Sequence, residues 1–193
     1  MKPGTDSIEL GHLIATPSKL QNSIKEELVL RLLQANDGAA LLAFEQENRA
    51  WFERFIASRG DFFYWTDGIQ AHIAQCLAEF AQGHMQPMVL LDAAGKIYGR
   101  VNLHAISPQD AKLGYRLAQS VCGQGLAYAC AQHLLTDAQQ IWQLPQLRAF
   151  VAVDNFASKR VLQKLGFIHL GAATKTSQLT RGSVPCDAYL LRL

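Results

Sequence analysis

Leu113-Gly-Tyr-Arg-Leu-Ala-Gln-Ser-Val-Cys-Gly-Gln-Gly-Leu-Ala127 joins two different hydrophobic periods, and that junction decides the fold. Leu113, Tyr115 and Leu117 alternate with Gly114 and Arg116, the period of a strand. From Leu126 the apolar positions become Tyr128-Ala129, Ala131, Leu134-Leu135, Ala138 and Ile141-Trp142, a helical spacing over several turns. Ser120-Val-Cys-Gly-Gln-Gly125 is therefore a strand-to-helix loop. The first amides of the helix have no acceptor in their own helix, and the helix dipole is positive there. Both effects favour an anion such as a pyrophosphate. Gly123 and Gly125 let the backbone come close and take positive φ. Taken alone, Gly-x-Gly fits a tight turn feeding a helix equally well. Tyr128 stands where a dinucleotide fingerprint needs a third small residue, and Leu126-Ala127 stand where a nucleotide P-loop needs Lys-Ser/Thr, so both motifs are excluded.

A second element follows about thirty residues later. Gln146-Leu-Arg-Ala-Phe-Val-Ala-Val153 reads as a buried strand. Asp154-Asn155 then opens a short helix with Val161, Leu162 and Leu165 as its apolar face, and Gly166 ends it before a strand over Phe167–Leu170. Asn155 and Ser158 fit ordinary helix capping. Their position after a Gly-x-Gly loop makes the two elements one constellation.

With these residues in view, the chain resembles the GCN5-related N-acetyltransferases, most of all the branch that includes the ribosomal-protein alanine acetyltransferases. Leu113-Gly-Tyr-Arg-Leu117 and Gly123-Gln-Gly-Leu-Ala127 match that branch's strand and pyrophosphate loop. Asn155, Ser158, Leu162, Lys164, Leu165, Gly166 and Phe167 match its second coenzyme motif. Leu28–Leu32, Glu47-Asn48-Arg49 and Asp187 are weaker echoes. The resemblance covers about Glu26 to Leu193. Two departures stand out. Ser120 replaces the Gln or Arg favoured three residues before the first glycine. Leu170-Gly171 is followed by Ala172-Ala-Thr174, where the branch often carries an acidic group after the Gly-Phe strand.

The resemblance implies an α/β (α+β) acyl-CoA N-acyltransferase fold: a mixed, mostly antiparallel sheet flanked by helices. It implies acetyl-CoA as cosubstrate, with no metal. The reaction implied is direct acyl transfer, in a ternary complex, to a primary amine: a protein N-terminus or a small molecule such as an amino acid, polyamine or antibiotic. A non-catalytic acyl-CoA-binding module and a self-associating structural relic are the rival readings. The coenzyme residues implied are Tyr115, Leu117, Ser120, Val121, Cys122, Gly123, Gln124, Gly125, Leu126, Ala127, Asn155 and Ser158. A backbone amide near Tyr115–Leu117 is implied for the oxyanion, and Ser158 for protonating the leaving thiolate. Asn155 orients the pantetheine arm.

The base is read from the residues. His104 lies on the face of Arg100–Ile106 opposite Val101, Leu103 and Ala105, and an imidazole suits a base near neutrality. The same pattern describes an ordinary exposed strand histidine. Glu45 and Glu47 border the acceptor entrance or face solvent. Asp187 lies near the same cleft or caps a strand. Cys122 invites covalent catalysis, but no His neighbours it in sequence.

Composition agrees. The 193 residues suit one domain with a sizeable core. At 49% hydrophobic and 18% charged the chain is globular, and a net charge of +2 is too small to argue for a nucleic-acid partner, so none is expected. Cys76, Cys122, Cys130 and Cys186 show neither metal-ligand nor disulfide spacing, so reduced thiols in the cytoplasm are expected. No apolar run reaches membrane-spanning length, and no signal-peptide core is seen at the N-terminus. Residues 1–25, with Pro3, Gly4, Gly11 and Pro17, predict a partly mobile extension, and 26–193 one domain; a homodimer is left open. Strands are expected at Glu27–Leu33, Met88–Asp92, Lys96–Ile106, Gln109–Leu117, Gln146–Val153, Phe167–Leu170 and Cys186–Leu193. Helices are expected from Asp37 to Gln46, over Arg49–Ala57 and over Thr66–Gln82. Phe62-Phe-Tyr-Trp65 is core packing or a wall of the acceptor pocket.

Overall fold

The computed structural model describes residues 18–21, 27–179 and 182–193. Eight strands among them form one sheet in the order β1-β2-β3-β4-β5-β6-β8-β7. They are β1 (Ser18–Gln21), β2 (Glu27–Leu32), β3 (Met85–Leu91), β4 (Ile97–His104), β5 (Ala111–Leu117), β6 (Gln146–Ala152), β7 (Ile168–Leu179) and β8 (Gly182–Arg192). Every pairing is antiparallel except β5 with β6. Among the described residues five α-helices flank the sheet: α1 (Gly38–Glu47), α2 (Arg49–Phe52), α3 (Thr66–Ala81), α4 (Leu126–Gln140) and α5 (Phe156–Lys164). The mixed, mostly antiparallel sheet expected from the sequence is the one observed.

β3 is buried along its whole length because it lies inside the sheet with helices packed over it. Both the nitrogen and the oxygen of its one amide side chain are engaged. Gln86 Nε2 donates to Asp137 Oδ2 at 2.6 Å, and Gln86 Oε1 accepts from Trp142 Nε1 at 2.7 Å, which ties α4 to the sheet centre. Leu28, Leu30, Ile69 and Leu103 are fully enclosed around it. Each contributes about 1.5–3 kcal/mol of burial.

The parallel pair creates an opening in the sheet. β5 and β6 are matched only at Ala111↔Leu147 and Lys112↔Arg148. Beyond that point β5 continues against β4 as far as Leu117, and β6 continues against β8 as far as Ala152. The two strands part like a V. An Arg148 Nε–Asp110 Oδ2 ion pair of 2.6 Å pins the closed end. From Leu113 to Leu117, every second peptide group of β5 turns away from β4 and finds no strand in the gap.

Local departures from the expected elements have physical causes. Arg49–Ala57 is not one helix: α2 ends at Phe52, and the amides of Phe55 and Ile56 both close on the Phe52 carbonyl as turns. Asp37 stands before α1 but does not cap it with its side chain. Its carboxylate takes the Gln34 amide at 2.8 Å and the Arg31 guanidinium at 2.7 Å instead. The hairpin at the C-terminal end is longer than expected, because β7 runs on to Leu179 through small polar residues and two register breaks. β1 lies within the predicted extension and pairs with β2, Leu20 opposite Leu28.

Candidate active site

Two cavities meet at the open end of the V, of about 560 and 440 Å³. Phe55, Ile56, Tyr115, Arg116, Asn155 and Ser158 line both. Both volumes lie in the range of ordinary small-ligand sites.

The smaller cavity contains the loop. A short 3-10 turn at Gln119–Val121 leads into it, and the Gln119 amide donates to Asn48 Oδ1 at 3.1 Å. Buried Asn48 also donates to the Phe44 carbonyl at 2.9 Å, which fixes the loop to α1. Gly123 and Gly125 have φ of +82° and +80°, and Gly125 is the residue before α4. A Cβ at either glycine would meet no protein atom within 4 Å, so both face open space. The amides of Leu126, Ala127 and Tyr128 open α4 ahead of its first i→i−4 bond, which runs from Ala129 to Gly125 at 3.0 Å. An open cradle of free amides at a positive helix end fits a pyrophosphate. Arg160 and Lys164 of α5 line the same cavity and add positive charge.

Of the other residues expected to contact the coenzyme, Leu117, Val121, Cys122, Leu126 and Ala127 border this cavity; Ser120 and Gln124 do not. Gln124 Nε2 points back to the Ser120 carbonyl at 3.4 Å, and its Oε1 is buried without a partner, so this side chain folds against its own loop. Cys122 belongs to an exposed position, yet its sulfur turns back to the Ala118 carbonyl at 3.4 Å. Desolvation there raises the thiol above its usual range, the opposite of an activated nucleophile.

At the junction, Tyr115 Oη and Ser158 Oγ are hydrogen-bonded at 2.9 Å, and Tyr115 Oη donates to the Ser158 carbonyl at 3.1 Å. Burial pushes the Tyr115 phenol up to about 12, partly offset by Ser158. The phenol therefore keeps its proton at neutral pH. Asn155 Oδ1 accepts the Ser158 amide at 3.1 Å, a helix cap, which leaves its NH₂ group for a ligand.

The larger cavity is bounded by β4, β5 and β6 and by α3. Arg100, Asn102 and His104 line it from alternate positions of β4, opposite Arg116, Gly114 and Lys112 across the ladder. His104 is half-buried, its Nε2 3.6 Å from the place of a Gly114 Cβ. Glu45, expected at an entrance or in solvent, is fully buried and ion-paired with Arg116. Burial pulls the Arg116 guanidinium downward and Glu45 counters it. Glu47 does face solvent and pairs with Lys96 at 3.2 Å. Asp187 borders neither cavity: Lys159 Nζ at 2.5 Å and His169 Nε2 at 3.4 Å hold it. The Lys159 bond keeps its carboxyl below the ordinary range. Phe63 and Tyr64 pack in the core, and none of Phe62–Trp65 lines either cavity.

Several wall residues escaped the sequence reading. Trp51, Phe52, Phe55 and Ile56 form the outer wall, but in sequence they look like an amphipathic helix. Arg100 and His72 also line the site, and only the strand alternation of Arg100 with Asn102 and His104 hinted at it. Among the described residues no group of three or more His, Cys, Asp or Glu could hold a metal ion, and no helix is long and apolar enough to cross a membrane.

Comparison with known proteins gives a consistent result. The family described as "Acetyltransferase (GNAT) domain" matches residues 27–168. The chain is 27% identical over 156 residues to "Probable N-acetyltransferase YjcK" of Bacillus subtilis, spanning 79% of this chain and 86% of that protein. Among solved structures, a ribosomal-protein-S5-alanine acetyltransferase from Vibrio fischeri superposes with a TM-score of 0.84 at 18% identity, covering 92% of this chain and 96% of that one. Mycobacterium smegmatis RimJ, in complex with a CoA-disulfide, superposes at 0.83 with 20% identity, covering 93% and 88%. At these identities the two superpositions show the shared fold.

Proposed function

We propose that this chain, which belongs to the GNAT acetyltransferase family and moves an acetyl group from acetyl-CoA to an amine, takes as its acceptor the α-amino group at a protein N-terminus. Structurally similar proteins whose names give ribosomal proteins as their substrates support that acceptor. The free thiols Cys76, Cys122, Cys130 and Cys186 support action in the cytoplasm.

One observation carries the mechanism: the Tyr115–Ser158 hydroxyl pair stands where the two cavities meet. The smaller cavity takes the coenzyme, with pyrophosphate on the Gly123–Tyr128 amides and Arg160 and Lys164 beside it. Acetyl-CoA supplies the thioester that the amine attacks. Amides of β5 that face the gap stabilise the oxyanion. The released thiolate needs a proton, and a serine alone is a poor acid. With the Tyr115 proton on the Ser158 carbonyl, Ser158 Oγ donates to Tyr115 Oη. Rotation of either hydroxyl toward the sulfur lets the pair deliver a proton, Tyr115 staying protonated until then. The amine enters from the larger cavity, where His104 accepts its proton.

Free-thiol release with peptides, amino acids, polyamines and aminoglycosides tests the acceptor; turnover restricted to the small amines refutes it. His104→Ala tests the base. The expected loss is about 10²–10⁴-fold in kcat/KM with a pH profile stripped of one ionisation. An active variant with an unchanged profile removes His104 from the mechanism, and attack by an already neutral amine takes its place.

A further inference from the structure

The larger cavity holds a charge that the acetyl-transfer reaction does not explain. Arg100 is 2% exposed, and among the described residues no carboxylate pairs with it. A buried cation without a counter-charge is costly. Arg116 lies directly opposite it on the ladder, and like charges facing across strands repel. Glu45 neutralises Arg116. Arg59 stands at the mouth over the Phe63 ring, at 4.8 Å, and lines the same cavity. Glu79 lines it too, hydrogen-bonded to Gln75. The excess around Arg100 remains positive.

The hydrogen bonds of Arg100 show which edge is open. Nη1 donates to His72 Nε2 at 2.6 Å, which requires a neutral imidazole. Burial, with Arg100 beside it, lowers His72 to about 3, so the ring is neutral through the physiological range and supplies no counter-charge. Nη2 reaches only the Cys76 sulfur, at 3.6 Å, and Nε has no partner at all. Nε and Nη2 form the side edge of the guanidinium, the fork that takes an oxyanion with two parallel bonds. Two residues along the same strand face, about 7 Å away at Cα, Asn102 Oδ1 is also buried and without a partner. It is an acceptor and suits an amine N–H. His104 comes next in the row.

We propose that the acceptor amine carries an oxyanion a few bonds from its nitrogen, which docks on the Nε–Nη2 edge of Arg100 while Asn102 Oδ1 receives the amine. The proposal rests on the larger cavity being the acceptor side. For a peptide, the oxyanion is an acidic side chain at the first or second residue; for a small amine, it is a carboxylate or phosphate.

The test uses matched pairs: peptides beginning Asp or Glu against Asn or Gln, a free amino acid against its amide, and phosphoethanolamine against ethanolamine. Free-thiol release gives kcat/KM, and calorimetry on the protein–coenzyme A complex gives binding. The charged member is expected to win by about tenfold or more in at least one pair, the pair identifying the source of the oxyanion. Arg100→Gln shrinks that ratio to within about threefold, and Arg59→Gln reduces it less. An unchanged coenzyme Kd shows that each variant is folded. Should Arg100→Gln not fold, Arg100→Lys, which keeps the charge but lacks the Nε–Nη2 fork, takes its place: a shrunken ratio supports the site, and an unchanged ratio opposes it. Turnover without charge preference overturns the oxyanion site and leaves the acetyltransferase reading intact. Equal binding of both members overturns the site even where no amine releases thiol, a result that also sinks the assignment of the acceptor.

Discussion

Replacing Gly125 by Asp separates coenzyme binding from folding. Gly125 has φ +80° at the start of α4, and a side chain there meets no protein atom within 4 Å. The folded state pays only the left-handed backbone, about 1–2 kcal/mol for an ordinary residue. An aspartate at a helix N-terminus recovers about 0.3–1 kcal/mol from the dipole. The net change of about 1 kcal/mol corresponds to a Tm shift of about 2–4 °C in a chain of this size. Coenzyme binding has no such compensation. The new Cβ and carboxylate occupy the space into which the Leu126–Tyr128 amides point. Losing two charge-assisted hydrogen bonds, at about 1.5–3 kcal/mol each, weakens the coenzyme by roughly 10²–10⁴-fold. Gln124→Ala is the control, because the Gln124 side chain lies outside both cavities and its amide survives; a loss within about threefold is expected, under 1 kcal/mol. Calorimetry with acetyl-CoA and a thermal melt of the free proteins measure both quantities. Equal losses in the two variants, or Gly125→Asp binding like the parent, would refute the backbone cradle.

Three further outcomes follow from the geometry. Ser158→Ala and Tyr115→Phe should each lower kcat by about tenfold or more with coenzyme Kd little changed, because they break a proton donor and not a phosphate contact; stopped-flow thiol release checks this, and an unaltered kcat in both removes the pair from the chemistry. Glu45→Gln leaves the Arg116 charge without its buried partner and should destabilise the fold by about 3–5 kcal/mol, measured by urea denaturation. His72 is held near 3 against an unfolded value of 6.5, so the unfolded chain binds its proton first as pH falls. Its contribution is complete above about pH 6.5 and declines toward pH 3 by up to roughly 1.4 kcal/mol per unit; His72→Gln should flatten that slope in denaturation at pH 7, 6 and 5.

The loop before α4 was legible in the sequence because its geometry is local. A strand period giving way to a helical one across Gly123-Gln-Gly125 places free amides and positive φ within a few residues, and Asn155 caps the helix that its own sequence begins. Main-chain geometry of this kind needs no distant partner. The acceptor side was opaque for the opposite reason. Glu45 reads as a surface charge until Arg116, seventy-one positions away, is folded against it. Trp51, Phe52, Phe55 and Ile56 carry the same pattern whether they fill a core or wall a cavity. Periodicity announces that β5 and β6 exist, but not that they pair at two positions and then diverge. That divergence sets a tyrosine from one strand against a serine from the helix after the other. Sequence by itself determined the family fold and the glycine-rich helix start at Gly123–Gly125, since both are written in short-range backbone preference. Tertiary structure alone decided the Tyr115–Ser158 hydroxyl pair and the charge of the larger cavity, since both arise from side chains distant in sequence that meet only in the folded sheet.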